Sequence, residues 1–235
     1  MELTGKRALV TGGAVRIGRA ISDALLAAGA EIVIHFRNSE KEAEAFWPNV
    51  IQADLSDPEQ CKTLIPRAVE QFGPINILIN NAAVFHPTRL KDSTHETVLA
   101  ELQPNLLAPL ALTRSFAAQN QPGKIINLLD RRITTHDTAY LPYMLSKKGL
   151  EELTKLTALE LAPAITVNAI APGVVLPPPN KESDIAWEPA GTIPLDRRPT
   201  TDDIAEAALY LLKSDIITGQ TLFIDGGQNL LGTEI

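Results

Sequence analysis

The chain has 235 residues, 45% apolar and 21% charged, enough to bury one full α/β core. Its net charge of −7 argues against general nucleic-acid binding, which needs a cationic face, although a local basic pocket for a phosphate stays open. One cysteine, Cys61, excludes an intrachain disulfide framework and points to a reducing compartment; it reads as a small packing residue rather than a nucleophile. No apolar run reaches the ~18 residues of a membrane span. Met1 and Glu2 lead quickly into a buried-looking strand, so no secretory leader and a cytoplasmic location are expected.

Apolar runs and helical patterns alternate along the chain. Arg7–Val10 is a short predicted strand, followed by an Ala/Leu-rich helix at Arg16–Ala28 that Gly29 closes. Glu31–His35 and Val50–Ala53 are the second and third strands. Pro58–Phe72 is helical, with Ser56 or Asp57 as N-cap. Ile75–Ile79 is the fourth strand, and His95–Ala118 is largely helical, broken or bent at Pro104 and Pro109. Lys124–Leu129 is the fifth strand, Leu141–Leu161 a long helix, Ile165–Ile170 the sixth strand, Asp202–Leu212 a last helix and Thr221–Ile224 the seventh strand. Strands apolar on both faces, alternating with helices, imply a parallel sheet covered on both sides. The expected fold is α/β: a single Rossmann-like, doubly wound parallel sheet of about seven strands with helices on both faces, one domain over residues 1–235. Ligands bind such sheets beyond the carboxyl ends of the strands. The segment from Pro172 to Pro199 holds seven prolines and is too long for an ordinary connection. Residues 173–200 are expected to form a substrate lid; a rigid surface excursion is the alternative.

After the first strand comes Thr11-Gly-Gly-Ala-Val-Arg16-Ile17-Gly18, running into a helix. Glycines there allow a tight turn and close backbone approach to a pyrophosphate, and the helix N-terminus offers free N–H groups. The second strand ends His35-Phe36-Arg37-Asn38-Ser39, with Phe36 and Arg37 where an NAD site usually carries an acid for the ribose 2′-hydroxyl. An arginine attracts a 2′-phosphate that a carboxylate repels, so NADPH (NADP) is the expected cofactor, with Arg16 adding a second positive charge. Asp54, next to Leu55, could accept from the adenine amino group or serve as a helix-entry residue. Asn81 and Ala82, closing the fourth strand, suit a backbone packed against the cofactor; a pair of turn-forming asparagines is the alternative.

Tyr143 and Lys147 stand four residues apart in a predicted helix and so share a face. An ammonium beside a phenol is expected to lower the phenol's pKa and make it a proton donor and acceptor near neutral pH. Asp130 adds a carboxylate at the end of the fifth strand. Tyr140, His136 and Asp137 are decoys nearby, because only Tyr143 has lysine at +4.

Taken in order, the Thr11–Gly18 loop, Asn80-Asn81-Ala82, Asn105, Tyr143-x-x-x-Lys147, Pro172-Gly173 and Asp225-Gly-Gly resemble the short-chain dehydrogenase/reductase family over nearly the whole chain. The resemblance implies a dinucleotide-binding catalytic domain in which Tyr143 moves the proton, Lys147 holds the ribose, and Asn105 supports a relay water. It also implies cofactor contacts at Gly12, Arg16, Ile17, Gly18, His35, Arg37, Asn38, Ser39, Asp54, Leu55, Asn81, Ala82, Lys147, Pro172 and Gly173, a homotetramer, and no metal. Two departures stand out: Arg16 replaces the family's middle glycine, and Asp130 replaces its catalytic serine. Both resemble the pteridine reductase and dihydromonapterin reductase branch, in which the residue matching Phe85 stacks on the flat pterin; a core aromatic is the alternative for Phe85. An ionised aspartate cannot donate to a ketone oxygen, whereas it suits a substrate presenting N–H groups or a ring nitrogen that needs a proton. The sequence thus favours an NADPH-dependent reductase of a pterin, folate or other cyclic C=N compound, with Phe85, Asp130 and Tyr143 meeting substrate. The alternatives are a general carbonyl reductase acting on ketones or 3-oxoacyl thioesters, and a non-catalytic dinucleotide sensor.

Overall fold

Alternate residues of each strand feed two separate apolar layers, and this alternation fixes where the helices pack. The computed structural model describes residues 1–177 and 193–231. In chain order the main elements are β1 (Arg7–Thr11), α1 (Arg16–Ala27), β2 (Glu31–Phe36), α2 (Glu40–Phe46), β3 (Val50–Gln52), α3 (Pro58–Phe72) and β4 (Ile77–Asn80). They continue with α4 (His95–Leu102), α5 (Ala108–Ala117), β5 (Gly123–Leu128), α6 (Leu141–Leu161), β6 (Ile165–Pro172), α7 (Thr201–Lys213) and β7 (Thr221–Ile224). The strands form one sheet, parallel throughout, in the order β3-β2-β1-β4-β5-β6-β7. Val10, Ile34, Ile79, Ile126 and Ile170 pack against α1 and α7 on one side. Leu9, Val33, Leu78, Ile125 and Val167 pack against α3, α5 and α6 on the other. Burying both faces is what makes these strands read as continuous apolar runs.

The order reverses between β1 and β4, so their carboxyl ends, Thr11 and Asn80, border the crevice where such sheets hold ligands. Three local features differ from the sequence expectation. β4 starts at Ile77 rather than Ile75, because the Asn76 side chain accepts from the Arg7 amide (3.0 Å) and its backbone N–H donates to the Arg7 carbonyl (2.8 Å). The short α2 was not anticipated; it buries only Ala43 and so carries no amphipathic stripe. The predicted His95–Ala118 helix divides into α4, a π-helical turn at Gln103–Leu107 and α5. Pro104 falls within that turn, and Pro109 occupies the first turn of α5, where its missing N–H costs nothing. Asp57, one of the two candidate caps, caps α3 by accepting from the Glu59 amide at 2.8 Å. Cys61 is fully buried in α3, and burial pushes its thiol up to about 11, as suits a packing residue. Among the described residues, no helix is long and apolar enough to cross a membrane.

Candidate active site

Thr11 ties two strand ends together. Its hydroxyl donates to the Ile79 carbonyl (3.1 Å) and accepts from the amides of Asn81 (2.9 Å) and Ala82 (3.0 Å). The Asn81 side chain donates to the carbonyls of Thr11 (2.8 Å) and Gly12 (3.2 Å), so it braces the glycine loop. A Cβ at Gly18 would stand 2.2 Å from the Gly12 carbonyl oxygen and 2.5 Å from the Asn81 amide nitrogen, which leaves no room for another residue. Arg16 is held at φ 55°, a left-handed conformation that costs a side-chain-bearing residue roughly 1 kcal/mol or more. Val15 precedes α1 without any side-chain capping bond, so the first amides of that helix remain available.

Beside this loop runs a groove of about 470 Å³. Its walls include Gly12, Arg16, Ile17 and Gly18, then His35, Arg37, Asn38 and Ser39 from the end of β2, and Asn81 and Ala82 after β4. A smaller recess of about 130 Å³ adjoins it, with Asp54 and Leu55 in its wall. Here Arg37 and Asp54 meet in an ion pair at 3.1 Å, while Asp54 also accepts from the Ser56 amide at 2.8 Å. The two side chains assigned separately to phosphate and adenine are therefore partners. His35 is a buried brace: its Nδ1 accepts from the Gly12 amide at 3.3 Å, and its Nε2 lies 3.0 Å from the Ala53 carbonyl. Burial pulls its pKa down to about 4, so the ring is neutral with the proton on Nε2.

The second half of the site lies at the ends of β5 and β6. Tyr143 and Lys147 sit one turn apart on α6, both buried. The Tyr143 hydroxyl donates to Asp130 Oδ2 at 2.9 Å, and Asp130 Oδ1 accepts from the Arg132 amide at 2.8 Å. Lys147 Nζ donates to the Leu128 carbonyl at 2.7 Å and stands 5.9 Å from the centre of the Tyr143 ring. One sequence expectation is corrected here. Burial, together with the charge and acceptor oxygen of Asp130, raises the Tyr143 pKa well above the ordinary phenol value instead of lowering it. Burial also lowers Lys147 to about 8, with Asp130 and Glu101 opposing that fall. Tyr143 is therefore a neutral O–H donor resting on a carboxylate, not an incipient phenolate.

Asn105 lies fully buried in the π-helical turn. Its Oδ1 accepts from the Val84 amide (2.9 Å), and its Nδ2 reaches the Val84 carbonyl (2.9 Å), Glu101 Oε2 (3.0 Å) and Ser146 Oγ (3.2 Å). Phe85 is 43% exposed, no core aromatic; it stacks on Tyr140 at 4.3 Å and meets Tyr143 edge-on at 4.6 Å. A cavity of about 630 Å³ joins the two halves, bordered by Arg16, Phe85, Asp130, Tyr143 and Gly173. Pro172 ends β6, and a Cβ at Gly173 would lie 2.8 Å from Asp225 Cα. Of the lid expected at 173–200, residues 178–192 lie outside the described residues; at its start, Arg16 Nη2 donates to the Pro177 carbonyl at 2.8 Å.

Sequence reasoning missed several residues that the fold brings to this site. Tyr140, set aside as a decoy, backs the Phe85 ring, whereas His136 and Asp137 border a separate recess beside Met144 and Leu145. Arg131 and Arg132 follow Asp130 into the cavity wall. Glu101 is buried against Asn105, and the only sequence signal for it was the four-residue spacing on a helix.

A family model described as enoyl-(acyl carrier protein) reductase matches residues 13–229. A putative ketoacyl reductase of granaticin polyketide synthesis from Streptomyces violaceoruber is 32% identical over 95% of this chain and 96% of its own length. L-xylulose reductase of Mus musculus is 34% identical (97% and 98% covered), and the 3-oxoacyl-[acyl-carrier-protein] reductase FabG of Staphylococcus aureus is 32% identical (97% and 99%). Among solved structures, FolM alternative dihydrofolate reductase 1 from Brucella canis, complexed with NADP, superposes with a TM-score of 0.88 at 32% identity, covering 98% of this chain and 96% of that one. The protein of the same description from Brucella suis, also with NADP, gives 0.90 at 32% identity, with 98% and 97% covered.

Proposed function

The chain belongs to the short-chain dehydrogenase/reductase family of oxidoreductases, and from that premise we propose that it uses NADPH to reduce a pterin-like ring or another cyclic C=N compound. In this reading residues 1–235 act as one catalytic domain. The cofactor fits the groove on its own chemistry. Gly18 keeps the loop open to a pyrophosphate, and a cation such as Arg16 at the positive end of α1 is unfavourable until an anion lies beside it. Arg37 serves the 2′-phosphate, and Lys147 the ribose. When bound, the nicotinamide supplies the hydride.

The observation that carries the substrate reading is the Tyr143–Asp130 hydrogen bond. Where a ketone reductase needs a second donor aimed at the developing oxyanion, this chain places an acceptor. Asp130 accepts from ring N–H groups of the substrate, and Tyr143, kept protonated by its surroundings, gives its proton to the imine nitrogen as carbon receives hydride. The C=N bond becomes CH–NH, and the tyrosine regains its proton by way of Lys147 and the Asn105 side of the site. Phe85, 43% exposed and backed by Tyr140, is the stacking partner for a planar ring in this reading. The resemblance to NADP-bound FolM structures supports the same choice. General carbonyl reduction is a second reading, favoured by the similarity to named 3-oxoacyl and xylulose reductases.

A substrate panel at fixed NADPH separates the two. Turnover of 7,8-dihydrobiopterin or dihydrofolate is expected, and Asp130→Ser should lose it while gaining acetoacetyl thioester reduction. Inactivity toward all pterins, with thioester turnover by the unmodified enzyme, would replace the first reading with the second.

A further inference from the structure

Glu101 is 1% exposed at the end of α4, an unusual place for a carboxylate unless several donors hold it there. Three do. Its Oε1 accepts from the His86 backbone N–H and lies 2.7 Å from His86 Nδ1, the backbone bond also being 2.7 Å. Its Oε2 accepts from Asn105 Nδ2 at 3.0 Å. His86 immediately follows Phe85, so one carboxylate binds both the loop that carries the stacking ring and the buried Asn105. Asn105 extends the linkage to Ser146 Oγ, and Ser146 in turn donates to the Tyr143 carbonyl at 2.7 Å. The substrate platform, the relay asparagine and the helix carrying Tyr143 and Lys147 thus meet through a single buried group.

We propose that Glu101 is a positioning residue of the reaction, fixing the Asn105 carboxamide and the Phe85–His86 loop relative to α6. The proposal rests on the reading of Asn105 and Phe85 given above. Glu101 also acts through charge. Lys147, beside Tyr143 on α6, lies in the field of Asp130 at the end of β5 and of Glu101 on α4, and both negative charges oppose the loss of its proton on burial. His86, whose side chain is 65% exposed, pairs with Glu101 at the solvent edge.

Glu101→Gln keeps the shape, removes the charge and turns one acceptor into a donor that faces other donors. Each variant is compared with the unmodified enzyme on whichever of a dihydropterin and an acetoacetyl thioester that enzyme reduces, so substrate identity and the role of Glu101 fail separately. The expected result is a kcat lowered roughly tenfold or more, from loss of charged hydrogen bonds, with NADPH affinity unchanged. The alkaline limb of the kcat profile should also move to lower pH, because Lys147 loses one of its two anions. Normal turnover per folded molecule, or a loss with the alkaline limb in place, would overturn the proposal. His86→Ala provides the second test if Glu101→Gln does not fold. It leaves the carboxylate, frees the Phe85 loop, and should raise the substrate KM several-fold, about what one hydrogen bond contributes, with the alkaline limb retained. An unchanged KM would also overturn the proposal.

Discussion

In the proposed reading, cofactor choice turns on a pair of side chains that already satisfy each other. Arg37 and Asp54 meet at 3.1 Å, with their side chains 53% and 33% exposed. An ion pair that open to water contributes only about 0–1 kcal/mol. A charge-assisted bond from Arg37 to a 2′-phosphate contributes about 1.5–3 kcal/mol, so the phosphate wins the arginine with a surplus of roughly 1–2 kcal/mol. At 1.4 kcal/mol per decade, Arg37→Ala should lower the NADPH-over-NADH ratio of kcat/KM about five- to thirtyfold. Arg37→Asp should lower it further, since two carboxylates would then face the phosphate. The less obvious partner experiment is Asp54→Asn. Releasing Arg37 from its pair should tighten NADPH about two- to fivefold and leave NADH alone, the reverse of what loss of an adenine contact would do. The measurement is steady-state kinetics with both cofactors at two ionic strengths, because exposed charges weaken as salt rises. A ratio unmoved by Arg37→Ala would refute the 2′-phosphate assignment. An Asp54→Asn enzyme that loses both cofactors equally would return Asp54 to the adenine.

Three further outcomes are expected. Tyr143→Phe should cut kcat by about 100-fold or more while NADPH still quenches protein fluorescence with its usual affinity; near-normal turnover would remove Tyr143 as the proton donor. His35 contributes to acid sensitivity: its folded pKa of about 4 lies below the unfolded value of 6.5, so its stabilisation is complete above about pH 6.5 and fades as pH falls toward 4. The linked free energy is about 3 kcal/mol, and His35→Gln should flatten urea-derived stability over that window; an unchanged slope would acquit His35. Gly18→Ala should abolish NADPH binding in a chain that still folds, since the added methyl would drive Gly12 and Asn81 apart; ordinary binding would mean that the loop yields more easily than its contacts imply.

The central strands were legible because both faces of each are buried, which leaves apolar runs such as Ile77–Ile79; the edge strands β3 and β7 are less buried. Tyr143, Lys147 and Asp130 were legible because their spacing places them at one strand end and one helix face. What escaped was set by contacts between distant segments. Arg37 and Asp54 each looked like a ligand for the cofactor, and nothing in the chain said they would face each other. Glu101 reads as one more charge on an amphipathic helix until the His86 loop folds over it. Tyr140 lacks a lysine at +4, so a filter built on proton chemistry discarded a ring whose part is to support Phe85. The Tyr143 pKa departs from expectation for a related reason: spacing shows the nearby ammonium but not the burial and the Asp130 carboxylate that raise it.

The π-helical turn at Gln103–Leu107 works as a phase shift between two helices. Each residue of an α-helix advances it by about 100°. Removing one residue after Asn105, such as the exposed Leu107, would change the phase between α4 and α5 by one residue's rotation. Asn105 would then swing about a quarter turn away from Val84 and Ser146, taking Glu101 with it. No replaced side chain reproduces that effect. The placement of Asn105 is encoded in how many residues separate two helices as well as in which residues they are.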